Sequence, residues 1–403
     1  MDIDRIRADF PVLSKGDKSP VYLDTACQSL RPRQVMEAMD AYYYEYPACG
    51  GRSVHRLATQ VSIKVEEARE KVSDFIGSGS YEQVIFTKNA TESINLIARG
   101  LGLKRGEAVL TTDMEHNSNH VPWLQLKKTD GVERVIVETP PDGTFDLEAF
   151  KLALTKNVRL VSVVQTNNVT GTTIPVKDIC DISHDNDSLV MVDGAQSAPH
   201  LKIDVEDMDV DFFAFSMHKM LGPSGVGVLY GKADLLNQVE PLILGGGGVS
   251  LTTYDDVELL PIPERFESGL MNYAGIIGSG AAVDYLRAIG MDEVMEHDIE
   301  CNRIVTEGLA GEDKIEVIGP EDPESRGSIY SFNVNGMRSH DVAMILDEMS
   351  GMMIRSGMHC VHPFFLKRKI DGAARASFYV YNSRNDCERF VQAVKEIVRS
   401  FAT

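Results

Sequence analysis

Between residues 84 and 230 the chain repeatedly sets a short, unbroken run of apolar residues ahead of a stretch with helical spacing. The runs lie at 84–86, 108–110, 135–137, 160–164, 189–192, 212–215 and 226–230. A strand that is apolar at every position has no face to show to water, so it must be covered on both sides. The stretches between supply the cover: 91–101, 146–155 and 177–184 space their apolar residues as helices do, as does 62–76 before the first run (Ile63, Val65, Ala68, Val72, Phe75). The pattern implies an α/β fold built on a mostly parallel sheet.

The pattern changes after residue 291. Helices are expected near 292–310 and 341–349, strands at 329–334 and 376–380, and a helix at the end, which reads as a smaller α+β domain. The long helix at 275–289 follows the loop marked by the run from Gly245 to Gly248. At the other end, a helix at 4–10, a polar turn through Lys15 and Asp17 and a strand at 21–23 are expected. The division is a large domain over 20–290 and a small one from 1–19 and 291–403, in keeping with 403 residues at about 150 per domain. No internal repeat interrupts it.

Composition narrows the function. Sixty acidic residues against forty basic give a net charge of −20, which repels nucleic-acid backbones and anionic membranes alike. Lys367-Arg368-Lys369 is the one basic run. No apolar stretch approaches the roughly 18 residues of a membrane span. The start, Met1 to Arg5, has neither the basic nor the apolar part of a signal peptide. The six cysteines are scattered with no CxxC pair, so the expectation is a cytoplasmic protein without disulfides.

Ligands of such sheets bind beyond the carboxyl ends of the strands, which makes the residues there the ones to read. After 84–86 comes Thr87-Lys88-Asn89-Ala90-Thr91, opening a helix. A helix start rich in small and hydroxyl residues can hold an anion, and equally can simply be capped. After 189–192 comes Asp193-Gly194-Ala195-Gln196. A carboxylate there is costly unless it meets a cation or strong donors, and a helix cap is the plainer alternative. After 212–215 comes Ser216-Met217-His218-Lys219, then Gly222-Pro223. A lysine among apolar strands has a lowered amine pKa, which suits a Schiff base. Asn167-Asn168 supplies amides and Glu115-His116 an imidazole. An anion cradle, a carboxylate, a buried amine and a ring on one sheet edge form the set that pyridoxal 5'-phosphate requires.

These segments resemble the class V aminotransferase group of fold-type I pyridoxal phosphate enzymes, and within it the SufS-type (group II) cysteine desulfurases. The likeness runs from Tyr22-Leu23-Asp24-Thr25-Ala26 to Arg375-Ala376-Ser377. It implies a mostly parallel seven-stranded sheet in the large domain. It makes Lys219 the Schiff-base lysine and Asp193 the partner of the pyridine nitrogen, with Gln196 on the phenolic oxygen and His116 stacked on the ring. Thr91, Ala90, Ser216 and His218 would hold the phosphate, and Asn168, Arg375, Arg355 and Ala26 the substrate. Arg355-Ser356-Gly357-Met358-His359-Cys360 is similar to the loop that ends in the desulfurase nucleophile, and its spacing to Arg375 matches the short-loop subgroup. The implied reaction takes L-cysteine to L-alanine, with sulfur held as a persulfide on Cys360. A sulfur acceptor, a SufE- or SufU-like protein or an iron–sulfur scaffold, is implied as partner, as is a homodimer. Selenocysteine lyase and other class V C–S lyases are the alternatives.

Three positions depart from the family pattern. Thr25-Ala26-Cys27 stands where Asn-Ala-Ala is usual, Tyr273 where a threonine is common, and Met358 where a histidine is common. Cys49 precedes Arg52-Ser53-Val54-His55-Arg56, which is similar to the family's segment reaching the active site of the partner subunit, so Cys27, Cys49 and Cys360 would converge as a sulfur relay or a metal site, unless they are only small apolar fillers. His359 beside Cys360 reads either as a partner of the thiolate or as a solvated loop residue.

Overall fold

The computed structural model describes residues 1–14 and 20–401; the turn expected through Lys15 and Asp17 lies outside them. Its largest sheet has seven strands: β1 Val84–Thr87, β2 Ala108–Thr112, β3 Glu133–Val137, β4 Val158–Val164, β5 Leu189–Asp193, β6 Phe212–Ser216 and β7 Gly227–Gly231. Their spatial order is β1-β7-β6-β5-β4-β2-β3. All neighbours are parallel except β7, which runs antiparallel to both β6 and β1. All seven expected runs are strands of this sheet. Only ten residues join β6 to β7, too few for the usual crossover that would return the chain parallel.

Alternate residues feed two cores. Phe213 and Phe215 of β6, with Val190 and Val192 of β5, enter one buried cluster. Phe212, Ala214 and Met191 enter the other, on the opposite face. The period of two sends successive side chains to opposite faces, and with both faces covered every position is apolar. The edge strand β1 is pinned from outside the sheet. Arg69 and Glu267 form a doubly bonded ion pair, 2.7 Å in each arm, and Glu267 Oε1 also accepts the Phe86 N–H at 2.6 Å.

The C-terminal part carries a four-stranded antiparallel sheet: β8 Ile315–Ile318, β9 Ile329–Val334, β10 Arg355–Gly357 and β11 Ala373–Ser377, in the order β8-β9-β11-β10. The helices Met291–Leu309, Ser339–Ser350 and Arg384–Phe401 contribute to its buried cluster. β11 starts and ends three residues earlier than the strand expected at 376–380. Its Ala-Ala-Arg-Ala-Ser sequence lacks strand-forming bulk, while the apolar run Phe378 to Tyr381 that follows is buried as irregular chain. Residues 21–24 join the C-terminal part. Val21–Tyr22 pairs with Met352–Met353, and Leu23 O accepts the Ser377 N–H at 2.8 Å. No helix among the described residues is long and apolar enough to cross a membrane.

Candidate active site

The carboxyl ends of β1, β2, β4, β5 and β6 open into one cavity of about 190 Å³, closed from the other side by β10, β11 and the segment from Ala26. Each of the thirteen site residues read from the sequence lines it.

The anion end is built on close backbone approach. The first residue of β7, Gly227, passes under the start of the helix Ala90–Gly100, where a Cβ would lie 2.3 Å from Asn89 Cα. Only glycine permits that distance. Ser216 Oγ, at the end of β6, accepts the Ala90 N–H at 2.9 Å and keeps its own proton for a ligand. Thr91 Oγ1 is 2.7 Å from Ser118 Oγ, which in turn is 3.0 Å from His116 Nδ1. The helix start, two hydroxyls and the imidazole thus form one connected rim, where the helix dipole favours an anion.

His116 caps the helix Asn117–Thr129, its Nδ1 accepting the Ser118 N–H at 3.1 Å. Burial, with Lys219 nearby, pushes its pKa down to about 3, so the ring is neutral. Burial likewise, with Lys219 second, lowers His218 to about 4. Lys219 ends the turn Met217–Lys219 that follows β6. Burial pushes its amine down from the ordinary lysine range, opposed by the carboxylate of Asp193. Asp193 is raised by the same desolvation, opposed by Lys219, and one of its oxygens accepts the Ala195 N–H at 3.0 Å. Gly194 lets the chain turn there, since a Cβ would meet the Phe213 ring at 2.1 Å.

At the far end, Arg375 on β11 is buried, its Nη1 donating to Asn168 O at 2.9 Å and its Nη2 to Asp24 Oδ1 at 3.3 Å. Arg355 on β10 reaches Cys27 Sγ at 3.2 Å. Gln196 Nε2 donates to Ala26 O at 2.7 Å. His359 and Cys360 both take left-handed backbone conformations, with φ of 46° and 59°, which costs a non-glycine residue roughly 1–2 kcal/mol each. The loop is held there from two sides. Asn168 Nδ2 donates to His359 O at 2.8 Å, and the Asn117 N–H to Cys360 O at 2.7 Å. Cys360 itself is exposed at the cavity mouth.

Several expectations change here. His359 is not a solvated loop residue: it is buried, its Nε2 is 3.0 Å from Ala373 O, and burial lowers its pKa to about 2, leaving it uncharged. Within a single chain, Cys49 stands apart from the other two thiols. Its sulfur lies 3.6 Å from Gly50 O and 3.9 Å from the Tyr273 hydroxyl, and neither residue lines the cavity. Among the described residues no group of three or more His, Cys, Asp and Glu side chains is arranged to hold a metal ion. Met358 packs against the apolar cluster of Val361, Phe364 and Phe365. Two residues gain a place that the sequence reading did not give them. Asp24 lies between the two arginines. Glu115 sits fully buried behind His116, accepting from Thr112 Oγ1 at 2.7 Å and Asn119 Nδ2 at 2.6 Å. Each is an acid just after a strand, the signal that singled out Asp193.

The cavity suits pyridoxal phosphate on its own chemistry. Gln196 Oε1, Asn168 Oδ1, His359 Nδ1 and Arg375 Nε are buried and have no partner in the protein, which marks a space built around a polar ligand. A carboxyl and an amine face that space, and a helix start with hydroxyls lies at one end.

Comparison with known proteins agrees. Residues 21–390 match the family described as Aminotransferase class-V. The chain is 40% identical over 420 residues to a cysteine desulfurase of Haloferax volcanii, spanning 100% of this chain and 98% of that one. Its structure superposes on the apo cysteine desulfurase of Thermococcus onnurineus with a TM-score of 0.95 at 38% identity, covering 100% and 99% of the two chains. For the cysteine desulfurase CsdA of Escherichia coli the TM-score is 0.91 at 31% identity, covering 99% of each. The likeness in sequence and in structure extends over nearly the whole chain, which therefore belongs to the class V aminotransferase family as a pyridoxal 5'-phosphate-dependent enzyme of fold-type I.

Proposed function

We propose that this enzyme is a cysteine desulfurase of the SufS type, converting L-cysteine to L-alanine and leaving the sulfur as a persulfide on Cys360. The observation that carries the reading is the position of Cys360: an exposed thiol on a loop held in strained conformation, at the mouth of the cavity that contains Lys219 and Asp193. Relatives of 40% and 38% identity bear the name cysteine desulfurase.

Pyridoxal phosphate, when bound, supplies an electron sink for the substrate α-carbon. The protein does the rest. Lys219 Nζ would hold the cofactor and then move the α-proton, and burial favours the neutral amine that accepts it. Asp193 would keep a proton on the pyridine nitrogen, and the neutral His116 ring would cover the cofactor face. Ala90, Thr91, Ser216 and His218 would hold the phosphate. Gln196 has a second amide N–H for the phenolic oxygen while the first holds Ala26 O. Asn168, Arg375, Arg355 and Ala26 would fix the substrate carboxylate end. Cys360 Sγ, once it has given up its proton, would then bond to the substrate sulfur as the Cβ–S bond breaks, the electron pair of that bond staying with Cβ, which takes up a proton on the way to alanine. A homodimer, a cytoplasmic location and a protein acceptor of the sulfur belong to the same proposal.

The test is to incubate wild type and Cys360→Ala holoenzyme with L-cysteine and count alanine, sulfide and pyruvate. Alanine from wild type and none from the variant is the expected result. Alanine at the wild-type rate from the variant, or pyruvate in place of alanine, would sink the assignment. A variant active on L-selenocysteine alone would point to the lyase instead.

A further inference from the structure

The substrate end of the cavity contains a second sulfur. Cys27 lines the same space as Cys360, and both are free thiols. Cys180, Cys301 and Cys387 are buried in the protein interior, where a small apolar filler belongs; Cys27 is only half-buried and faces the ligand space. A cationic donor, Arg355 Nη1, lies 3.2 Å from its sulfur. The backbone around it is fixed at several points. The Cys27 N–H donates to Asp24 O at 3.1 Å, the Ala26 N–H to Ser377 Oγ at 3.0 Å, and Ala26 O accepts from Gln196. Arg375 and Asn168, side chains 2% and 5% exposed that line the same cavity, each keep one polar atom, Nε and Oδ1, without a protein partner. Cys27 is therefore placed where sulfur is handled, and its guanidinium partner suits an anionic sulfur.

We propose that Cys27 is a second sulfur carrier, loaded from Cys360; this rests on the desulfurase reading above. Cys27 Sγ, as thiolate, attacks the outer sulfur of the Cys360 persulfide. A Cys27 S–S bond forms, the Cys360 S–S bond breaks, and its electron pair leaves on Cys360 Sγ as thiolate. One persulfide is exchanged for another, so neither oxidant nor reductant is consumed. Arg355 offsets the negative charge that builds up as the two sulfurs meet. Cys360 is then free for another turnover, and one chain holds two sulfane sulfurs, an outer one at the mouth and an inner one behind it.

The experiment loads holoenzyme with L-cysteine without acceptor or reductant, alkylates it, and locates persulfides by peptide mass spectrometry, with total sulfane sulfur measured by cyanolysis. Wild type is expected to carry persulfide on both Cys27 and Cys360, approaching about two sulfane sulfurs per chain, against about one for Cys27→Ala. In Cys360→Ser, Cys27 stays unlabelled, because the relay begins at Cys360. Wild type labelled on Cys360 alone overturns the proposal, and that arm needs no variant to fold. Label on Cys27 in Cys360→Ser also overturns it, since Cys27 would then take sulfur directly. Failure of the desulfurase reading looks different: no alanine, and no persulfide on either cysteine.

Discussion

Arg355 and Arg375 are register partners across the antiparallel pair β10 and β11. Two like charges directly opposite one another repel. Asp24 stands between them, 3.3 Å from Arg375 Nη2 and 4.0 Å from Arg355 Nη1. One carboxylate for two guanidiniums leaves an excess of positive charge here, which on the proposed reading meets the substrate's carboxylate.

Asp24→Asn is expected to destabilise the protein. Burial pushes the Asp24 carboxyl up while Arg375 pulls it down, so the ion pair itself is costly to keep. Removing only the acid is worse, since it strands the buried Arg375 beside a second cation. Breaking a buried pair in this way costs about 3 kcal/mol, to be read from the midpoint of denaturant unfolding. A midpoint equal to wild type would mean that the two arginines are neutralised by something other than Asp24.

Gly227→Ala tests the anion end. Its Cβ would lie 2.3 Å from Asn89 Cα, backbone against methyl, with no flexible side chain to yield. Overpacking of this kind costs about 1–3 kcal/mol, and it displaces the helix start that carries Ala90 and Thr91. Weaker binding of pyridoxal phosphate to the apoprotein is expected along with the lower stability, measured by absorbance titration. Full cofactor affinity in a destabilised variant would separate Gly227 from the phosphate site.

Glu115 gives a pH dependence with a definite sign. Burial raises its pKa from 4.5 to about 7, against the hydrogen bonds from Thr112, Asn119 and the Val164 backbone. The folded protein thus holds a proton that the unfolded chain releases above 4.5, so stability falls as pH rises through the window from 4.5 to about 7. The fall amounts to about 3 kcal/mol. Glu115→Gln removes it, so the stability difference between wild type and variant is expected to shift in favour of the variant between pH 5 and pH 8. A difference that stays constant over that range would show Glu115 charged throughout. The effect bears on the site as well, because Val164 is the register partner of Asp193.

The large sheet was legible because burial on both faces writes itself into consecutive apolar residues. The direction of β7 was not, since an apolar run carries no polarity of its own, although the shortness of its connection did contain the answer. The helix Asn117–Thr129 escaped notice because Pro122 and a run of polar residues blur its period. β11 was placed late because its alanines do not look like a strand. The cavity-lining residues were readable from strand ends and from resemblance. Asp24 and Glu115 were passed over, since a place just after a strand does not name their partners: Arg375, distant in sequence, for the one, and Thr112 and Asn119, brought to it as the chain turns into its helix, for the other.

The tie between residues 21–27 and the C-terminal sheet has a consequence for how the enzyme is made. The hydrogen bond from the Ala26 N–H to Ser377 Oγ spans 351 positions of sequence, and that between Arg375 and Asp24 spans the same number. Contacts so far apart form late in folding. During synthesis the large sheet can assemble as soon as β7 has emerged, yet the substrate end of the cavity stays open until the ribosome has passed residue 377. On the proposed site assignments, a nascent or truncated chain would have a framework able to receive the cofactor's phosphate but no place to hold cysteine, and it would withhold sulfur chemistry until the last strand is in place.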